Sequence, residues 1–139
     1  MTEPASAHSK NEAGVRHELV DHLTSVAQYA AEFAKDFGGE TAGYWVGLCH
    51  DIGKFNPAFQ DYLTQCDGPL PHPPRGPDHK GAGALLAGGS LALVVQGHHG
   101  GLPARTDAPG WLADRREDPD VQRALDAAYA ALPELATGP

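Results

Sequence analysis

Cysteine, basic charge and long apolar runs are all scarce in this chain of 139 residues. The two cysteines, Cys49 and Cys66, form no CxxC pair, which argues against a disulfide framework or a thiolate zinc site and predicts two reduced thiols on or near the core. Ten basic residues against 18 acidic ones give a net charge of −8. That balance argues against a protein that grips nucleic acid unaided, because phosphate binding normally leaves a basic footprint. A partner would have to supply the basic surface.

Apolar runs such as Leu91 to Val95 are far shorter than the roughly 20 residues of a membrane span. Residues 1–12 also lack the apolar core of a signal peptide. We therefore expect a cytoplasmic protein with no membrane partner. Its length fits one hydrophobic core, and no internal repeat or second domain is visible, so we expect a single domain over residues 1–139.

The apolar pattern predicts an all-α fold. Between Arg16 and Phe37, apolar residues recur at intervals of three and four, which is typical of an amphipathic helix that Gly38 and Gly39 would end. A second helix is predicted to begin at Thr41 as its cap and to end near Ile52. Asn56 followed by Pro57 is a typical start for a third helix.

Three more helices are predicted farther along the chain. They run from about His79 to Ala87 with Asp78 as the cap, from Leu91 to Gly97 after Ser90, and from about Asp120 to Leu132. The run from Leu91 also fits a buried strand, but its helical surroundings favour a helix. Loops are expected at the Gly- and Pro-rich segments 68–77 and 97–110, and no closing element is predicted over residues 133–139.

Histidine is unusually frequent for this length, with eight in the chain, and most of them lie inside short motifs. His50 and Asp51 are adjacent on a predicted helix, where neighbours point about 100° apart, so both reach one metal site only from a helix edge that faces a cavity. A mixed set of imidazoles and carboxylate suits iron, manganese, cobalt, nickel or zinc. Calcium is disfavoured because it prefers oxygen ligands. A lone His-Asp pair is common by chance, so the surrounding residues decide whether this pair is interpreted as metal ligands.

Those surroundings resemble a known superfamily. Residues 47–55 read GLCHDIGKF, which resembles the GLLHDIGK core of the HD superfamily of metal-dependent phosphohydrolases. Three motifs resemble more closely the HD nuclease domain of type I CRISPR interference systems: HDIGKFNPAFQ from His50, DHKGAG from Asp78 and GHHGGLP from Gly97. The amino-terminal segments 7–9 (AHS) and 17–23 (HELVDHL) add to the resemblance, which extends to about Pro103.

The resemblance implies a helical bundle of the HD type with a metal site in its centre. It implies one or two divalent transition metals, with Asp51 bridging them. The histidine ligands would be His22 and His50 for one metal and His79, His98 and His99 for the other. The catalytic residues would be Asp51 and Lys54, the latter stabilising a phosphoryl oxygen or the leaving group. The alternative for Lys54 is a solvated cation at a helix end.

The implied activity is metal-dependent hydrolysis of phosphodiester bonds in single-stranded DNA during antiviral defence. Members of that family receive DNA from a superfamily 2 helicase, either fused or separate. A helicase motor cannot fit in 139 residues, so the implied partners are a separate helicase and an RNA-guided surveillance complex. Preference for DNA over RNA, the polarity of cleavage, the native metal and the oligomeric state do not follow from the sequence.

The sequence departs from the family pattern near its end. Members of the family have a further Asp ligand downstream of the paired histidines, in an Ala-Asp sequence. Asp114 also follows an alanine, Ala113, but is expected to be a surface charge. The chain also stops early, so a truncated domain, or a degenerate one that binds metal without activity, is one alternative. A second alternative is an HD hydrolase of nucleotides or small phosphate esters, which the acidic charge favours.

Three histidines remain outside the implied ligand set. For His8 and His17, a position in the substrate groove and a position on the surface are equally compatible with the sequence, and His72 is expected to be exposed.

Overall fold

A computed structural model describes residues 3–71 and 73–139; His72 lies outside them. Across these residues the chain is helical and has no strand beyond one isolated bridge between Ser6 and Glu18, so the predicted all-α class is confirmed. The α-helices are α1 (Leu19–Ala34), α2 (Glu40–Cys49), α3 (Pro57–Cys66), α4 (Gly81–Ala87), α5 (Leu91–Gly97), α6 (Ala108–Glu117) and α7 (Pro119–Ala131). Short 3₁₀ helices cover Lys35–Phe37, Ile52–Phe55 and Pro133–Ala136.

The first two helices have different ends from those predicted. Helix α1 begins at Leu19 rather than Arg16, because Glu18 is extended and pairs with Ser6. Its last turn tightens to 3₁₀ geometry before Gly38, whose positive φ of 66° stops the helix as predicted. Thr41 is not a cap: α2 begins one residue earlier at Glu40, with Gly39 at the N-cap position.

Of the short helices that carry the motifs, α3 has the predicted cap, whereas the N-cap residue of α4 is Lys80 rather than Asp78. The Asn56 side chain accepts a hydrogen bond from the Ala58 N–H at 3.0 Å, and Pro57 occupies the first turn of α3. Asp78 accepts hydrogen bonds from the N–H groups of Lys80 and Gly81. Because α4 begins only at Gly81, His79 lies in the turn before the helix rather than in it.

Two elements near the end of the chain were not predicted. Helix α6 was missed because its few large apolar residues, such as Trp111 and Leu112, make no regular stripe. The 3₁₀ turn Pro133–Ala136 closes the fold, with Leu135 only 2% exposed against the core. The expectation of no closing element after Leu132 was therefore wrong.

The core lies between α1 and α2 and is covered by α4, α5 and α7. Its fully buried side chains include Leu19, Leu23, Leu48, Ile52 and Val95. Small residues set the close approach of the helices: a Cβ atom on Gly47 would lie 2.6 Å from the Ala27 Cα, and one on Gly83 would lie 1.8 Å from the Cys49 carbonyl oxygen. Only glycine fits there, and this packing brings α4 against the end of α2. No helix in the described part of the chain has the length and apolar character needed to cross a bilayer.

Candidate metal centre

The end of α2 is the centre of a cluster of imidazoles and one carboxylate. His50 is the C-cap of α2, and Asp51 follows it. All six predicted ligands come together there in two groups that share Asp51, and in each group the potential ligand atoms lie within 4.8 Å of one another. The groups are His22, His50 and Asp51, and Asp51, His79, His98 and His99.

Asp51 places one carboxylate oxygen toward each group. Its Oδ2 lies 3.4 Å from His22 Nε2 and 3.2 Å from His50 Nε2. Its Oδ1 lies 3.7 Å from His79 Nε2 and 3.4 Å from His98 Nε2. The residue is only 3% exposed, so the carboxylate is enclosed by these side chains and one of its oxygens faces each group.

Backbone carbonyls fix the orientation of two of the imidazoles. His50 Nδ1 donates a hydrogen bond to the Gly47 carbonyl at 2.6 Å, and His98 Nδ1 donates to the Val95 carbonyl. A carbonyl can only accept, so the proton of each neutral ring is on Nδ1. The Nε2 lone pair of each ring therefore faces Asp51, which is the arrangement that carbonyl partners impose on metal-binding histidines.

Several buried polar atoms of this cluster have no hydrogen-bond partner in the described part of the chain. They are Asp51 Oδ1, His79 Nε2 and His98 Nε2. A buried polar group without a partner typically costs about 1–3 kcal/mol, and here three such atoms face one another. On the other side, His22 Nε2 and His50 Nε2 lie 3.2 Å apart. A divalent cation in each group would provide a partner for these atoms, so the residues present fit a metal centre.

The protonation states suit metal binding at neutral pH. Burial opposes ionisation of Asp51, yet the ammonium of Lys54, 2.8 Å from Oδ2, holds the pKa of its carboxyl well below its usual range. Burial, with a contribution from His50, lowers the pKa of His22 to about 4, and burial also lowers that of His79 to about 4. The centre therefore offers an ionised carboxylate at Asp51 and neutral imidazoles at His22 and His79, the forms that ligate metals.

Lys54 is buried beside this carboxylate, so the alternative of a solvated helix-end cation is wrong. Its side chain is 7% exposed, and Nζ lies 2.8 Å from Asp51 Oδ2. The same ammonium donates a hydrogen bond to the Ala7 carbonyl at 2.9 Å. Lys54 thus joins the bridging carboxylate to the amino-terminal segment.

Other polar residues considered in the sequence lie farther from the centre. Asp114 is exposed on α6 and belongs to neither group, in agreement with the expected surface charge. The rings of His8 and His17 lie beside His22, with centroids 5.2 and 5.7 Å from its own, and both residues are exposed. They border the site on the His22 side and face solvent at the same time.

A cavity of about 560 Å³ adjoins the other side of the centre, at His79 and His99. Its wall includes Arg75, Lys80 and Arg115, of which only Lys80 lies in a motif that resembles the family, DHKGAG. Arg75 and Lys80 come from the segment between α3 and α4, and Arg115 comes from α6, so the folded structure brings Arg115 to the other two.

The whole arrangement agrees with a comparison against protein families. No curated protein matches the chain. A family model described as "Cas3, HD domain" matches residues 4–137. The match extends well beyond the segments that carry the motifs and includes both groups of potential ligands. The protein therefore belongs to the Cas3 HD domain family, as its motifs indicated.

Proposed function

We propose that this protein is a CRISPR-associated endonuclease that uses divalent metal ions to hydrolyse phosphodiester bonds in single-stranded DNA. Its family supports the nuclease class. The observation that carries the proposal is the position of Asp51, whose two buried oxygens each face a different set of imidazoles. Such a bridging carboxylate is what a two-metal phosphodiesterase requires.

In this proposal the two groups hold two metal ions. His22, His50 and Asp51 Oδ2 would hold one, and Asp51 Oδ1, His79, His98 and His99 would hold the other. The donor set suits iron, manganese, cobalt, nickel or zinc. When bound, such ions supply an activated water and stabilise negative charge on the phosphate.

The protein's own residues prepare the site for this chemistry. The Gly47 and Val95 carbonyls fix the rings of His50 and His98. We assign Lys54 a positioning role: its ammonium already contacts Asp51 Oδ2 and the Ala7 carbonyl, and it would have to leave Asp51 to reach a phosphoryl oxygen. The Lys54 contact keeps the carboxylate ionised and correctly oriented.

The proposed partners follow from the same family. We propose that a separate superfamily 2 helicase delivers single-stranded DNA to the centre, and that an RNA-guided surveillance complex selects the target. Antiviral interference of this kind would take place in the cytoplasm. Co-purification of the full chain with such a helicase, from cells that express both, tests this part of the proposal.

The direct test is cleavage by protein that has been stripped of metal and reloaded with manganese, cobalt, nickel, zinc or iron. We expect cleavage of single-stranded DNA by the loaded protein, none after chelation, and none by Asp51→Ala. Asp114→Ala is the matched control, because it removes an exposed carboxylate outside both groups. It should cleave as the wild type does.

The substrate panel also decides among the alternatives. Hydrolysis of mononucleotides or small phosphate esters without DNA cleavage would favour a small-molecule hydrolase. Metal-loaded protein that hydrolyses no substrate would favour a degenerate HD domain. Either result would overturn the nuclease proposal.

A further inference from the structure

Most of the residues that line the cavity beside the metal centre have no part in the proposed chemistry. It has a volume of about 560 Å³ and shares His79 and His99 with the centre. This volume lies within the roughly 300–1,000 Å³ that is usual for small-molecule sites. A group bound there would lie directly beside one set of potential ligands.

Positive charge is concentrated in this cavity. Three of the ten basic residues of the chain line it, but only one of the 18 acidic residues, Asp78, does. Asp78 pairs with Arg115, whose Nε lies 3.0 Å from Asp78 Oδ2. Among the described residues no carboxylate lies within ion-pair distance of Arg75 or Lys80. An acidic protein thus presents two uncompensated cations beside its candidate active site.

Aromatic side chains also line the cavity. Phe59 and Tyr62 of α3 line it, with ring centroids 5.7 Å apart. The loop that carries Arg75 lies close against Tyr62, since a Cβ atom on Gly76 would lie 2.8 Å from the ring. Gln96 also lines the cavity, and its buried Oε1 has no hydrogen-bond partner in the described chain. The wall therefore offers apolar contact and one free acceptor.

We propose that this cavity is a subsite for one nucleotide of the single strand, next to the phosphate that is cleaved; the inference rests on the proposed function. Arg75 and Lys80 contact the flanking phosphates. Tyr62 packs against the base or sugar, and Gln96 Oε1 accepts a hydrogen bond from an N–H group of the base. Cations that follow the backbone and an aromatic surface for the base are the two elements by which proteins hold single strands.

The test compares two double variants with the same change in charge. Arg75→Ala/Lys80→Ala removes the uncompensated cations, whereas Lys35→Ala/Arg116→Ala removes one Lys and one Arg that do not line the cavity. Binding of a fluorescent twelve-nucleotide oligo(dT) is measured by anisotropy in chelator, so that no cleavage occurs. We expect the cavity variant to bind about tenfold more weakly. Its affinity should also depend less on salt: the plot of log affinity against log salt concentration should be less steep by roughly 1.4, which is about 0.7 for each lost phosphate contact. The control should bind like the wild type.

A second measurement separates this proposal from the proposed function. Bis(p-nitrophenyl) phosphate needs the metal centre but has no flanking nucleotide, so metal-loaded cavity variant and wild type should hydrolyse it equally. Equal oligonucleotide binding by wild type and cavity variant, or equal losses in both double variants, would overturn the subsite. If wild-type protein hydrolyses no phosphodiester, the proposed function fails, while the binding result still decides the subsite. The single variant Arg75→Ala, at an exposed side chain, repeats the test if the double variant does not fold.

Discussion

The backbone N–H of Gly53 donates a hydrogen bond to the carbonyl oxygen of His79, with 3.1 Å between nitrogen and oxygen. This bond ties the turn after the His-Asp pair to the turn that carries a histidine of the other group. There is no room for a side chain at this point, because a Cβ atom on Gly53 would lie 2.3 Å from the same oxygen. The distance between His79 and Asp51 therefore depends on a glycine that supplies no potential ligand atom itself.

Replacing this glycine should damage the centre without touching a ligand. In Gly53→Ala the clash pushes the His79 turn away, so we expect lower metal content and a free energy of unfolding lower by about 1–3 kcal/mol. Gly110→Ala is the control, because a Cβ atom there meets no atom within 4 Å and alanine favours the exposed helix α6. Chemical denaturation and metal analysis of both variants measure the difference. Unchanged metal content in Gly53→Ala would contradict this role of the glycine.

Removing the Lys54 ammonium should destabilise the metal-free protein most. Lys54→Met keeps the length of the side chain but leaves Asp51 buried without its cation, and breaking a buried ion pair costs about 3–5 kcal/mol. A metal ion that binds Asp51 restores much of that loss. We therefore expect the fall in Tm to be larger in chelator than with saturating manganese. An equal fall under both conditions would show that Lys54 does not act through Asp51.

Acid should destabilise the metal-free protein through its buried histidines. The pKa values of His22 and His79 fall from 6.5 in the unfolded chain to about 4 in the folded one. Below pH 6.5 the unfolded chain therefore binds more protons, and stability decreases as the pH falls. We expect the contribution of these two histidines to the free energy of unfolding to have its full value above about pH 6.5 and to decline toward pH 4. Urea denaturation across this range measures it, and His22→Gln/His79→Gln should show a flatter profile.

The two cysteines should differ in reactivity. Cys49 is fully buried, and burial raises the pKa of its thiol to about 12, whereas Cys66 is partly exposed. Only the thiolate reacts with disulfide reagents, so we expect one fast-labelling thiol per native chain and a second after denaturation. Cys66→Ser should remove the fast reaction. Fast labelling of the native Cys66→Ser variant would contradict the burial of Cys49.

The features that could be predicted from the sequence are those that depend on residues close together in the chain. The periodic apolar residues of α1 and the cap formed by Asn56 and Pro57 depend on neighbours within one or two turns. The six residues of the candidate centre were found because their motifs resemble a family, and the fold brings them together. That they bind metal remains a prediction.

Features that depend on distant segments were missed. The burial of Lys54 requires Ala7 to fold back across the end of α2, a contact between residues 47 positions apart. The buried Leu135 turn and the weakly patterned α6 are held by tertiary packing rather than by local periodicity. The cavity combines Arg75 and Lys80 of the segment between α3 and α4 with Arg115 of α6, so a net charge of −8 gave no sign of its local positive charge.

The most direct test of the central claim is the metal content of the purified protein beside that of Asp51→Ala. Asp51 is the one residue shared by both groups of potential ligands, so its loss should affect both ions. After reloading with manganese or cobalt and removal of unbound metal, we expect up to two ions per wild-type chain and almost none in Asp51→Ala, with Asp114→Ala equal to the wild type. Equal metal content in wild type and Asp51→Ala would contradict a metal centre bridged by Asp51.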